Sequence, residues 1–327
     1  MKKLYLYFHP YTWQIKPHSG QDGRQYIQDM DIKPYWIVQM LSSHKPQNIH
    51  LLKAKPLNWD DYYKVHSKEY VNKIINGASK EISKYSWITW SKSFLRAQRY
   101  TSGAIYYAAK SALKNNISGA LVVEGHHAQK NRGSGYSTFN NLSVAASRLL
   151  EEKTISRLAI VDFDLHFGDG TASIFKNDFR VAIFDIYGQS LSGDASMLHS
   201  NGRLINFRVN SKQDYFSAID NLKPFLKKHK PELVFYIAGM DVFEKDRYGG
   251  IKGMREEQII ARDKVLLGSI TKLKIPTVFT LGGGYVDYRG IDGFILSKKA
   301  MELRRKKLAQ LHLGTIKMAE NIISELN

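Results

Sequence analysis

Cysteine is absent from the 327 residues. That excludes disulfide frameworks, thiolate metal sites and cysteine nucleophiles, and it fits a reducing compartment, so a cytoplasmic location is expected. Long apolar runs are missing as well: none approaches the roughly 18 residues of a membrane-spanning helix. Behind Met1-Lys2-Lys3 the apolar stretch covers only residues 4–8, short of the roughly 7–15 residues of a secretory segment. There is no internal repeat, no low-complexity tract and no Pro/Gly/Ser-rich linker. The length lies near the upper limit of roughly 250–300 residues for one core, and a single domain over 1–327 is the expectation. Acidic residues are also in deficit: 30 Asp and Glu against 48 Lys and Arg leave a net charge of +18. Such a field favours anionic partners, nucleic acid or an anionic membrane surface among them. The plainer account is a set of lysines on solvated faces, because the basic residues are scattered and the densest run, 298–307, reads as one exposed helical stretch. With 43% hydrophobic and 24% charged residues, the chain is neither disordered nor fibrous.

Short β-branched or aromatic runs alternate with longer amphipathic segments. The runs, at 4–8, 120–123, 158–161, 181–186, 204–209, 233–237 and 277–281, are almost continuously apolar, as strands covered on both faces should be. Helical patterns are expected at 93–113, 142–152, 215–228, 256–272 and 308–326. This alternation predicts an α/β fold with a mostly parallel central sheet between helices. Four runs lead straight into chemically active groups: Glu124-Gly125-His126-His127, Asp162-Phe163-Asp164-Leu165-His166, Ala238-Gly239-Met240-Asp241 and Gly282-Gly283-Gly284-Tyr285. Open α/β sheets bind ligands beyond the carboxyl ends of their strands, so these four groups are expected to meet at one edge.

Strand side chains alternate faces, which puts Asp162, Asp164 and His166 on one side and Phe163 and Leu165 on the other. Two carboxylates and an imidazole at the mouth of a buried strand need compensation. No Lys or Arg lies between positions 158 and 170, and a bound metal is the economical explanation. A hydrogen-bonded loop capping a helix is the bland alternative. Asp241, a turn or cap residue if taken alone, would complete a three-ligand set with Asp164 and His166 and leave one coordination position open. Asp162 would then orient a histidine. His126 and His127, otherwise an unremarkable surface pair, suit proton transfer to and from a reacting group, with Asp162 and Asp169 as carboxylate partners. The glycines before Tyr285 let backbone pass close to a ligand, where the phenol can donate to a developing oxyanion; a plain strand-to-helix turn has the same composition.

Together these segments resemble the zinc-dependent histone deacetylase family, with its acetylpolyamine and acetoin-utilisation relatives. The resemblance is carried by Gly125–Ala128, Gly133–Asn140, Asp162–Thr171, Gly239–Asp241 and Gly282–Tyr285, with support from Val65–Val71 and His312–Ile316, in order over about residues 55–320. It implies an arginase/deacetylase-type three-layer α/β/α fold and hydrolysis of an acylated amine: an acetyl-lysine, an acetylpolyamine or a small metabolite. It implies Asp164, His166 and Asp241 as ligands of one Zn2+, His126 and His127 as the acid/base pair backed by Asp162 and Asp169, and Tyr285 as the oxyanion donor. Gly135, Tyr136 and Gly283 match substrate-channel positions, Tyr136 standing where the family usually has Phe. A potassium ion is implied near Asp162, Asp164, His166 and Asp185.

The sequence also departs from the family pattern. Phe167 replaces a second histidine and is expected to alter a pocket wall. The segments at 32–41, 86–89 and 190–197 match poorly, and they belong to the pocket mouth. Two other readings compete. An arginase-like hydrolase with two manganese ions would need a denser carboxylate cluster, and a catalytically silent acyl-lysine-binding protein would not need every reactive position filled.

Overall fold

The computed structural model describes all residues except 1, 16–17, 20–24, 27–28, 78–87, 192–201, 287–296 and 326–327. Its central sheet is built from β1 (Leu4–Phe8), β4 (Ile49–Lys53), β5 (Ile117–Ala120), β6 (Leu158–Asp162), β7 (Val181–Tyr187), β8 (Leu204–Arg208), β9 (Leu233–Ile237) and β10 (Thr277–Thr280). A separate antiparallel pair joins β2 (His18–Ser19) to β3 (Gln25–Tyr26). In the eight-stranded sheet the order is β4-β1-β5-β10-β9-β6-β7-β8, and each adjacent pair is parallel.

The interior strands β5, β6, β7, β9 and β10 are buried at every residue, whereas the edge strands β4 and β8 are mostly half-buried. Alternation along each strand feeds two apolar layers. Ala159 and Val161 pack with helices Asp29–His44, Leu222–His229, Glu256–Lys272 and Lys298–Glu325 through Leu41, Phe225, Leu266 and Ile316. Leu158 and Ile160 face helices Lys68–Ile75, Lys92–Asn115 and Asn141–Glu151 through Tyr70, Ile105 and Leu149. Three layers result, helix on sheet on helix, as expected for the arginase/deacetylase type.

The four strands whose ends carry reactive groups, β5, β10, β9 and β6, are consecutive in the sheet. Because all run parallel, their carboxyl-terminal loops emerge at one edge, side by side.

Several boundaries differ from expectation. The strand placed at 120–123 runs instead over Ile117–Ala120; beyond it the chain stays bonded to its neighbours, Leu121 N donating to Tyr7 O at 2.8 Å and Leu281 N to Val122 O at 3.0 Å. The single helix expected at 215–228 is two, Lys212–Ile219 and Leu222–His229. They break at Asp220-Asn221, where the Asn221 amide bonds Ser217 O and Ala218 O; Asn competes for backbone partners and favours such junctions. The last helix begins ten residues early, Lys298–Glu325, absorbing the basic run. Strand β4 and helix Asp29–His44 escaped notice, the first because an edge strand reading IHLLK is only half-buried, the second because Pro34 interrupts its pattern.

Helix Lys92–Asn115 starts at Ser91, whose hydroxyl accepts the Phe94 N–H at 3.0 Å, a standard N-cap. Its Gly103 presses on the chain before helix Trp59–Tyr62: a Cβ there would strike Lys55 O and lie 3.2 Å from Pro56 Cα. Backbone cannot yield as a side-chain tip does. Gly103→Val is therefore expected to destabilise the fold by about 1–3 kcal/mol, read as a lower Tm; an unchanged Tm would show that this contact relaxes freely.

Candidate active site

Beyond β6 the chain turns so that the carboxylates and imidazole of the Asp162–His166 segment point one way, while Phe163 and Leu165 enter the apolar layer on the opposite face. Asp162 Oδ1 accepts the N–H of Asp164 at 3.0 Å, and Asp164 Oδ1 accepts that of His166 at 3.0 Å. Each acid thus curls the loop onto itself and aims the next donor. Asp241, after β9, accepts the Leu165 N–H through Oδ1 at 2.9 Å and faces His166 Nδ1 through Oδ2 at 3.1 Å. One ligand atom each from Asp164, His166 and Asp241 lies within 4.8 Å of the others. The three expected metal ligands are brought together from two strand ends.

The glycine turn after β10 closes the site. Gly283 N donates to Asp164 Oδ2 at 2.6 Å. A Cβ on Gly283 would overlap the Asp241 carboxylate and come within 2.6 Å of Asp164 Oδ2, and Gly282 and Gly284 both adopt positive φ. No residue with a side chain fits that approach.

His126 and His127 lie on the loop after β5 with ring centroids 4.1 Å apart. Each has its expected carboxylate: His126 Nδ1 meets Asp162 Oδ2 at 2.9 Å, and His127 Nδ1 meets Asp169 Oδ1 at 2.8 Å. Their electrostatics diverge. Burial opposes charge on His126, but Asp162 and Asp164 outweigh it and hold the imidazole well above its usual range. Burial and then the charge of His126 push His127 down to about 4 despite Asp169.

The ligand set is itself strained by charge. Burial raises Asp241 to about 6, and Asp164 adds to the effect. His166 is raised to about 10 because its two carboxylate neighbours overcome the effect of burial. Acids this deeply buried must be paired, neutralised or bound to a metal, and an oxygen–nitrogen–oxygen donor set of this kind is compatible with a divalent metal. Asp185, paired in register with Asp162 on β7, accepts the Gly168 N–H through Oδ2 at 3.0 Å. Its Oδ1 is buried without a hydrogen-bond partner, and burial followed by Asp162 raises it well above the carboxylate range.

Tyr285 is held above the phenol range by burial and by the charges of Asp164, Asp241 and Asp246, so its hydroxyl stays protonated. Three tyrosines group here. Tyr248 stands edge-on to Tyr285 at 4.7 Å, Tyr136 lies 6.2 Å from Tyr285, and the hydroxyls of Tyr136 and Tyr248 are 2.7 Å apart. Gly135 is packed so closely on His127 that a Cβ would strike its ring, with Leu191 Cδ1 at 2.8 Å on the same side.

One expectation fails. Phe167 is no pocket wall: its side chain is fully buried in the helix layer, with its ring 5.0 Å from that of Tyr187. Its neighbour Gly168 turns the chain toward Asp185, and the phenyl ring goes to the core. Of the poorly matching mouth segments, 86–87 and 192–197 lie outside the described residues.

The sequence assigns no role to four contributors. Lys33, buried in helix Asp29–His44, donates Nζ to Gly282 O at 2.5 Å and Gly283 O at 2.8 Å, anchoring the glycine turn. Asp246 accepts the N–H of Tyr248 at 2.9 Å and of Tyr285 at 2.7 Å, tying two loops together; burial, then Asp241, raises it to about 8. Glu124, fully buried, accepts the Thr280 hydroxyl at 3.1 Å and is raised to about 7, chiefly by burial. Tyr248 is the fourth. Only Glu124 gave a signal, a charge ending an apolar run; the other three act over sequence separations that no local pattern records.

Strand ends of the α/β fold converge on an Asp-His-Asp cluster that could hold a metal ion, flanked by two histidine–carboxylate pairs. The Histone deacetylase domain family matches residues 32–293, and the chain belongs to that family. It is 29% identical to histone deacetylase 5 of Arabidopsis thaliana over 230 residues, 63% of this chain and 33% of that protein. It is 28% identical to a probable deacetylase of Methanothermobacter thermautotrophicus over 242 residues, 69% of this chain and 71% of the relative. The chain spans about a third of the plant protein's length. Among solved structures, acetylpolyamine aminohydrolase from Burkholderia pseudomallei superposes with a TM-score of 0.74 at 17% identity, covering 96% of this chain and 98% of that one. That likeness concerns the fold.

The loop bearing His127 is braced by His66, whose Nδ1–H donates to Gln129 O at 2.9 Å while Nε2 accepts the Asn140 N–H at 3.1 Å. Acceptance at Nε2 requires the neutral ring, and burial pushes His66 down to about 4. Its folded value lies below the unfolded value of about 6.5. This contribution is therefore complete above pH 6.5 and is lost as pH falls toward 4, at most about 3 kcal/mol. Urea unfolding at both pH values is expected to show a smaller pH slope in His66→Gln; an identical slope would remove His66 from the acid sensitivity.

Proposed function

We propose that this chain is a single catalytic domain that hydrolyses an N-acyl amide, an acetylated lysine, polyamine or small amine, in a zinc-dependent reaction. The observation that carries this reading is the convergence of Asp164, His166 and Asp241 beside two histidine–carboxylate pairs and a protonated tyrosine. Asp164, His166 and Asp241 would hold the ion. A divalent metal there, when bound, supplies Lewis acidity toward the acyl carbonyl and lowers the pKa of water toward ~7.

The chain's own groups do the rest. Asp169 holds His127 by Nδ1, and the ring stays neutral, so its Nε2 can accept a proton from the attacking water. Asp162 orients His126 in the same way. A histidine of the pair returns the proton to the amine nitrogen as the C–N bond breaks, giving a carboxylate and a free amine. The Tyr285 hydroxyl, unable to ionise in its acidic surroundings, donates to the acyl oxygen as negative charge builds there. The glycine turn before it brings backbone close without steric conflict. Gly135, Tyr136 and Gly283 would line the path of the acyl-amine stem.

A potassium ion near Asp162, Asp164, His166 and Asp185 is part of the same reading, supported by the orphaned buried Asp185 Oδ1. Among the described residues there is one three-ligand cluster, which gives no support to a binuclear manganese centre. The excess of positive charge leaves an anionic partner open to direct binding measurements.

The test is a fluorogenic acetyl-lysine assay, followed by a screen of acetylpolyamines and small acetylated metabolites, with and without chelator. Turnover abolished by chelator and restored by zinc is expected; metal-replete protein that cleaves no acyl amine would leave a binding protein instead. Tyr285→Phe is expected to lose about 10²–10³-fold in turnover while retaining zinc, and equal activity would refute the oxyanion role. Asp241→Ala is expected to lose the metal; full zinc occupancy by elemental analysis would take Asp241 out of the ligand set.

A further inference from the structure

Arg262 and Asp263 are neighbours in helix Glu256–Lys272, and neither side chain reaches solvent. Their contacts lead to the metal-ligand loops from the side opposite the carboxylates. Arg262 Nε donates to Asp263 Oδ1 at 2.8 Å, while Nη1 donates to Gly239 O at 2.7 Å and lies 3.5 Å from Phe163 O. Phe163 directly precedes Asp164, and Gly239 is two residues before Asp241. Asp263 is braced in turn by Tyr236 on β9, whose hydroxyl donates at 2.5 Å, and by Thr315 in the last helix, also at 2.5 Å.

Stability alone is a weak reason for such a pair. Desolvation of two buried charges offsets most of their attraction, and apolar side chains of similar volume often serve as well or better. Arginine's planar fork is suited to holding several acceptors in one fixed geometry. The two carbonyls it reaches belong to loops in close contact: a Cβ on Gly239 would fall 2.7 Å from Asp164 Cα. A shift of either loop at the guanidinium therefore changes the spacing of Asp164 and Asp241.

We propose that Arg262, aligned by Asp263, is a positioning residue that sets the separation of the two carboxylate ligands. The inference rests on the metal-dependent reading above and deepens it. It makes metal affinity sensitive to a side chain that touches neither ion nor substrate, as supporting groups around metal ligands commonly are.

The test titrates metal-free protein with Zn2+ in competition with a chromophoric chelator and records Tm on the same samples. Arg262→Met is expected to bind zinc about 10–100-fold more weakly, with Arg262→Lys intermediate because an ammonium cannot span both carbonyls and Asp263. If Arg262→Met does not fold, Arg262→Lys carries the comparison. Leu266→Ala, in the same helix and apolar layer, separates positioning from general loosening: a lower Tm with unchanged zinc affinity is expected. A folded Arg262→Lys that binds zinc as tightly as the parent overturns the inference, and so does a Leu266→Ala variant whose zinc affinity falls in step with its Tm. A parent chain that takes up no divalent metal overturns the metal reading and this inference with it. A parent that binds zinc beside variants that bind it equally overturns this inference alone.

Discussion

The electrostatic demand of carboxylates driven into an apolar interior is the constraint from which the rest of this structure follows. Asp162, Asp164, Asp185 and Asp241 are each buried to within a few per cent of complete exclusion from solvent, where an uncompensated charge is prohibitively costly. Backbone N–H groups and imidazoles are the means of compensation that the chain itself supplies. The loops after β6, β9 and β10 are shaped so that Asp164, Gly283 and Leu165 supply N–H donors to these acids. The same arrangement sets Asp164 and Asp241 on either side of His166 Nδ1.

Parallel strand order turns that local chemistry into one site. Neighbouring positions for β5, β10, β9 and β6 deliver the histidine pair, the tyrosine turn, Asp241 and the Asp162–His166 loop to the same edge. Support comes from both helix layers and from far along the chain. Lys33 reaches across to the glycine turn, Asp246 joins Tyr248 to Tyr285, and Arg262 ties the carbonyls of Phe163 and Gly239. The site is thus held by groups that lie outside the Asp164–His166–Asp241 cluster itself.

Much of this is legible in the sequence. Continuously apolar runs revealed the interior strands because a strand covered on both faces has no room for alternation. The spacing of Asp162, Asp164 and His166 revealed a shared face because strand geometry repeats every second residue. The weaker readings failed for physical reasons as well. Edge strand β4 is half-exposed and has no such run; the junction at Asp220-Asn221 interrupts an otherwise continuous helical pattern; and Phe167, one residue out of phase with the ligands, belongs to the core.

What the sequence by itself determined was the inventory of reactive groups and the strand ends that bear them, since both are written in residue type and short-range periodicity. Membership of the deacetylase family, visible as ordered motifs, belongs to the same level. Only the tertiary structure decided which donors meet at the centre, which acid partners which histidine, and how Lys33, Asp246 and Arg262 brace the loops. Arg262 and Gly239 are 23 positions apart, Asp246 and Tyr285 are 39, and Lys33 and Gly283 are 250, and a distance through space is set by packing of whole layers, not by anything local to either partner.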